Sequence, residues 1–200
     1  MTLLYEVYDN LYVNLTNRCP CACTFCLRQT RDEMNHSGSL WLEREPTVEE
    51  VEKEFDRFDS RKYKELVFCG FGEPTERLED LIQIADYAKK EYHLPVRVNT
   101  NGLSDLINGR NTAPLFAGHV DTVSISLNTP DREEYARLTR SKFGEKAFDA
   151  LLLFAQNVKK YVPRVILTTV ATTISENEQD ECRKICDRIG VSYRIRPFED

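Results

Sequence analysis

Two hydrophobic rhythms alternate along this chain of 200 residues. One has a period of two, as in a strand with one buried face. The other recurs at three and four residues, as in an amphipathic helix. "LYVNLTN" (11–17) alternates and predicts a first strand. Thr47 and Glu50 form a capping box ahead of a helix whose apolar face is Val48, Val51, Phe55 and Phe58. "ELVFCG" (65–70) predicts the next strand, and Leu78, Leu81, Ile82, Ala85 and Ala88 the next helix. "PVRVNT" (95–100) runs into Asn101-Gly102, a turn signal. "DTVSISLN" (121–128) is a fourth strand, and Asp131 caps a short helix after it. A longer helix carries Phe148, Leu151, Leu152, Ala155 and Val158. "RVILTTVAT" (164–172) is a fifth strand. Ser175 and Glu178 cap a helix with Cys182, Ile185, Cys186 and Ile189 on one face, ended by Gly190. "VSYRIR" (191–196) is a sixth strand.

Repeated strand–helix alternation predicts parallel βαβ units. Six of them suit a partial barrel or an open doubly wound sheet. Strands buried on both faces would be apolar throughout, and these are not. Asn14 and Thr16 alternate with Val13 and Leu15, and Ser124, Ser126 and Asn128 with Val123, Ile125 and Leu127. Asn99 and Asn101 share a phase with Arg97, and Arg194 with Arg196. One apolar face for helices and one polar face predict a wet, curved sheet, with its site at the strands' C-terminal ends.

Composition narrows the setting. The chain is long enough to bury a core as one domain, residues 1–200, without disulfides. The start "MTLLYEVYDN" lacks the basic opening of a signal peptide, and no apolar run suits a membrane span. A cytoplasmic protein is expected, where thiols stay reduced. The net charge of −6 and the lack of a basic run argue against a nucleic-acid partner.

"CPCACTFC" (19–26) holds four of the 7 cysteines. In a reducing compartment it suits a zinc site or an iron–sulfur cluster better than disulfides. A structural zinc site needs a second ligand pair, and Cys182 with Cys186 lies on the core face of a helix, where cysteine packs as a small hydrophobe. Three thiolates on a cubane would leave one iron open for chemistry.

The spacing Cys19-x3-Cys23-x2-Cys26, with Phe25 before the last cysteine, resembles the signature of the radical S-adenosylmethionine (SAM) enzymes. "GFGEPT" (70–75), after the second strand, resembles that family's Gly-Gly-Glu region. The wording "LYVNLTNRCPCACTFCLR" is similar to a group associated with TatD-type nucleases. The resemblance implies an α/β fold, a partial (β/α)6 TIM-like barrel with the loop after its first strand. It implies a 4Fe–4S cluster on Cys19, Cys23 and Cys26, with SAM on the open iron. Phe25 would lie near adenine, and Gly72 and Glu73 would hold the methionine end. Asn99, Asn101, Ser126 and Asn128 would reach ribose and carboxylate, and Arg196 with Arg194 a carboxylate of SAM or substrate. Cys21 fits neither interval and is expected beside the ligands or exposed.

The implied reaction is reductive cleavage of SAM to a 5′-deoxyadenosyl radical that takes hydrogen from a substrate. A one-electron donor such as flavodoxin or ferredoxin is the implied partner. The inward polar residues suggest a small, polar, anionic substrate. Two other readings stand beside this one: an activating enzyme of the glycyl-radical type, acting on a protein, and a non-catalytic iron–sulfur or zinc protein. The sixth strand falls near the chain's end, so no auxiliary-cluster domain is expected. Residues 29–47, with Trp41 and His36, form an unusually long connection. They are expected either to cover the site or to make a surface excursion around a buried tryptophan.

Overall fold

Residues 1–197 are described by a computed structural model. Seven strands form one sheet in chain order: β1 (Leu4–Val7), β2 (Asn10–Val13), β3 (Glu65–Phe68), β4 (Val96–Thr100), β5 (Thr122–Ser126), β6 (Arg164–Val170) and β7 (Ser192–Arg196). The last six run parallel to one another, as the six βα units predict. Among the described residues nothing pairs β7 with β1, so the barrel is partial.

β1 is an addition that the periodicity did not announce. It pairs antiparallel with β2 through a tight turn at Tyr8, whose φ is 52°. Tyrosine rather than glycine or asparagine holds the left-handed position, which it tolerates poorly, ahead of Asp9 and Asn10.

Six helices cover the outer face: α1 (Val48–Glu54), α2 (Leu78–Tyr92), α3 (Ser104–Asn108), α4 (Arg132–Thr139), α5 (Lys146–Val158) and α6 (Glu176–Ile189). Both capping boxes form, Thr47 with Glu50 and Ser175 with Glu178. Asp131 accepts the Glu134 N–H and caps α4. Leu11, Val13, Leu66, Phe68, Val96, Val98, Val123, Ile125, Val165 and Leu167 point outward into one core with the helices. Cys182 and Cys186 are buried in that core, and burial pushes both thiols up to about 12.

The alternate positions line the inside. Register places Tyr12, Val67, Arg97, Thr122 and Arg164 in one row. Asn99, Ser124, Ile166 and Ser192 form the next, and Ser126, Thr168 and Arg194 the one above. Arg196 stands beside Val170 at the C-terminal edge. The polar phase of the strands is therefore the inner face.

Asn14 and Thr16 depart from the wet-face expectation. Both are buried, and both hold residues 29–47 rather than facing water. Asn14 Nδ2 donates to Leu40 O at 2.8 Å, and Thr16 Oγ1 to Glu45 at 2.6 Å. Asn17 pairs with the Leu42 backbone in both directions. Leu40 is buried against Tyr5 and Phe71 inside the sheet at its β1–β2 side. Trp41 is not the buried tryptophan of the surface-excursion reading. It is 39% exposed and stands edge-on to Phe71, with ring centroids 5.0 Å apart.

Candidate active site

β2 ends at Val13, and the chain runs through Asn14–Arg18 into the cysteine loop. Three other segments pin that loop. Ala22 and Thr24 donate backbone N–H groups to Thr139 O and Leu138 O at the end of α4, each at 2.9 Å, and Lys142 N–H donates to Pro20 O at 2.8 Å. Glu73 N–H donates to Arg18 O at 2.8 Å. Arg28 spans the remaining gap, reaching Cys21 O at 3.2 Å, Phe71 O at 3.3 Å and Asn17 O at 3.4 Å. Sequence reasoning missed Arg28. Its only signal was a basic residue just past the last cysteine.

The loop brings Cys21 beside Cys19 and Cys23, and Cys26 follows where its N–H donates to Cys23 O. Cys21 is buried, not exposed. Its thiol hydrogen-bonds to both neighbours. That bond, against the opposing effect of burial, pulls Cys19 and Cys23 below the usual thiol range, and Arg28 adds a smaller pull. Cys21 itself is pushed up, and burial raises Cys26. Asn101 Nδ2 lies 4.0 Å from Cys19 Sγ and 3.9 Å from Cys21 Sγ. Cys19 and Cys23, lowered beside Cys21 and near the Asn101 amide, are thus the more readily ionised of the four thiols.

Glu73 is buried at the turn after β3. Its Oε1 accepts from Thr75 N–H at 3.1 Å, Thr75 Oγ1 at 2.7 Å and Thr100 Oγ1 at 2.7 Å, and Oε2 accepts from Asn101 N–H at 2.7 Å. Burial raises its carboxyl above the usual range, and these donors pull it back in part. The residue thus ties the β3 turn to the β4 turn, and Oε2 keeps room for one further donor. Gly72 is fixed by packing: a Cβ there would stand 2.1 Å from Thr16 O and 2.7 Å from Arg18 O. Gly102 carries φ 78° in the turn after β4, and a Cβ would meet Ile125 at 2.7 Å.

The other expected residues fall around the same mouth. Phe25 is half-buried in the cysteine loop. Asn99 accepts from Arg97 at 3.0 Å, and Arg97 also pairs with Glu65 at 2.8 Å. Ser126 is half-buried at the end of β5. Asn128 is buried with φ 65°, and its Oδ1 has no partner. Arg194 is exposed and reaches Ser124 Oγ at 3.5 Å. Arg196 is half-buried, with an unpartnered Nε. Two depressions lie away from this mouth, one around Lys159 and Val162 and one around Thr2 and His36.

Among the described residues no three His, Cys, Asp or Glu side chains gather as ligands of a single ion. A cubane needs something else, one thiolate per iron around an inorganic core. The loop supplies lowered thiols, a nearby guanidinium and an amide donor, and unpartnered Asn128 Oδ1 stands ready for a ligand's donor. These residues fit a cluster with a polar ligand beside it.

The sequence matches the radical SAM superfamily over residues 13–191. The chain belongs to that superfamily. It is a radical SAM enzyme with the partial TIM-barrel fold, and its cofactors are a 4Fe–4S cluster and SAM. The non-catalytic reading is thereby set aside. The chain is 32% identical to a probable GTP 3′,8-cyclase of Thermococcus kodakarensis, over 98% of its own length and 60% of that protein's. It is 34% identical to a GTP 3′,8-cyclase of Corynebacterium glutamicum, over 68% of this chain and 35% of the other. The chain thus spans between about a third and three fifths of these relatives, which carry the cyclase name rather than that of a TatD-associated group. In fold it is similar to Streptococcus suis SuiB bound to S-adenosylmethionine, with TM-score 0.71 and 17% identity over 96% of this chain and 41% of that one. No helix among the described residues is long and apolar enough to cross a membrane.

Proposed function

We propose that this enzyme cleaves SAM reductively and uses the resulting radical on a compact anionic substrate held by Arg194 and Arg196. When bound, the cluster and SAM supply a 5′-deoxyadenosyl radical that takes a hydrogen atom from carbon. Cys19, Cys23 and Cys26 hold the cluster, with Cys21 and Asn101 donating to the thiolates. Asn128 Oδ1 accepts from the ribose or ammonium of SAM, and Oε2 of Glu73 takes one further donor. Phe25, Asn99, Ser126 and the Gly72 turn complete the wall. A ferredoxin- or flavodoxin-like donor delivers the electron.

The observation that carries the substrate class is the charge on the inner face. Although Arg194 is exposed overall, partial desolvation first, and then Arg97, Arg196 and Arg164, press it below the usual arginine range. Among the described residues Glu65 answers Arg97, but no carboxylate pairs with Arg194 or Arg196. A phosphate or carboxylate would relieve that repulsion bidentately. GTP is the first candidate, on the likeness to the cyclases. The TatD-associated likeness rests on the wording of residues 11–28 alone, has no support among these relatives, and names no reaction.

One observation favours a second reading, a protein substrate: Trp41 is exposed beside Phe71 at the rim. The reduced, reconstituted enzyme with SAM separates the two. Under our reading GTP, or another phosphorylated nucleoside from a panel, accelerates 5′-deoxyadenosine release in wild type. It does so at least ten-fold less in the Arg194→Ala, Arg196→Ala double variant. Equal stimulation of both proteins contradicts the anionic substrate. Loss of stimulation in Trp41→Ala alone supports the protein substrate.

A further inference from the structure

Tyr135 is the one large side chain near the cysteine loop whose polar atom nothing in the protein explains. It is 1% exposed, and its hydroxyl has no hydrogen-bond partner. A buried hydroxyl without a partner is costly, and phenylalanine would fill the same volume without that cost. The position is not arbitrary. Tyr135 lies one turn before Thr139 on α4, and Thr139 Oγ1 donates to Tyr135 O at 2.8 Å. Thr139 O and Leu138 O are the carbonyls that receive Ala22 and Thr24. The helix end carrying Tyr135 is therefore the backing plate of the loop between Cys21 and Cys23. Its ring packs at 60° on Phe148, with centroids 5.6 Å apart, which holds the phenol in place. Burial first, and then Cys21, Cys23, Glu73 and Cys19, raise the phenol, so it stays a protonated donor.

We propose that Tyr135 donates its O–H to a sulfur of the cluster, either a ligating thiolate of the 19–23 segment or a sulfide, and thereby raises the cluster's reduction potential. The assignment rests on the cluster reading above. Hydrogen bonds to the sulfurs are among the levers that set such potentials, because they stabilise the more negative, reduced form. The missing acceptor is then the cofactor itself, and the hydroxyl is orphaned only in the bare polypeptide. Other donors near the sulfurs, Asn101 Nδ2 and the Cys21 thiol, approach from the loop and from β4, not from α4.

The test compares wild type, Tyr135→Phe and Phe148→Leu, each reconstituted anaerobically. Iron and sulfide per chain are measured, and the midpoint potential is read from an EPR-monitored redox titration. Urea unfolding is followed on the cluster-free proteins. The expected result is equal iron in wild type and Tyr135→Phe, a more negative midpoint in Tyr135→Phe alone, and no loss of stability in the cluster-free variant. Four results overturn the proposal: an unchanged midpoint in Tyr135→Phe, an equal shift in Phe148→Leu, a destabilised cluster-free Tyr135→Phe, or a Tyr135→Phe that fails to fold. The last two would show that the hydroxyl already has a partner in the protein. A wild-type protein that takes up no cluster overturns the reading of the site itself, and this proposal with it.

Discussion

Glu73 shows how one side chain can serve scaffold and cofactor together. Its carboxylate collects four donors from Thr75, Thr100 and Asn101, so the β3 and β4 turns move as one. Glu73→Ala would orphan buried donors at Thr75, Thr100 and Asn101. Losses of about 1–3 kcal/mol attend each unsatisfied group. The variant is therefore expected to lose on the order of 3 kcal/mol in urea unfolding, in addition to SAM affinity; unchanged stability would reduce Glu73 to a ligand contact. The motif "GFGEPT" made the position legible, but the role read from it was incomplete. Nothing in the sequence says that Thr100 and Asn101 complete the carboxylate's shell, because those contacts cross from one βα unit to the next. Arg28 and Tyr135 stayed hidden for the same reason. Their partners are backbone carbonyls in one case and a cofactor in the other, and neither leaves a pattern in the residue types.

At the scale of elements, the long connection 29–47 behaves as a strap sewn to the end of β2. Asn14, Thr16 and Asn17 supply the stitches. The alternation in "LYVNLTN" was read as a wet strand face, although β2 stops at Val13 and the following polar residues are buried. Period two reports which residues share a side, not whether water or another segment occupies that side. Five of the six helices and the other five predicted strands were legible because caps and apolar periods agreed locally, as at Ser175, Glu178 and Gly190, whereas the short α3 was not. β1 was not, since a tyrosine holds the left-handed position of its turn, where glycine or asparagine would signal a hairpin. Asn17→Ala removes both bonds to Leu42, each worth about 0.5–1.5 kcal/mol net. It should speed tryptic cleavage at Arg31 or Arg44 several-fold in limited proteolysis. Cleavage at the wild-type rate would show that Asn14, Thr16 and the buried Leu40 and Leu42 hold the strap without Asn17.

For the whole molecule, the acidic total of −6 conceals a basic inner wall at Arg97, Arg164, Arg194 and Arg196. Net charge speaks to the outer surface, and strand phase decides what faces inward. The fold class and the cluster loop could be read from one sequence because both are encoded in local spacing. The substrate could not, since a barrel mouth is assembled from the ends of separate strands. The central claim is that Cys19, Cys23 and Cys26 hold the cluster on which SAM is cleaved, with Cys21 beside them as a thiol. Its most direct test is 5′-deoxyadenosine release from SAM by the anaerobically reconstituted, dithionite-reduced protein, measured with iron content for each single Cys→Ala variant. The account predicts turnover by wild type and by Cys21→Ala, and loss of both cluster and turnover in Cys19→Ala, Cys23→Ala and Cys26→Ala. A Cys23→Ala protein that keeps cluster and turnover, or an iron-loaded wild type that leaves SAM intact, would contradict it.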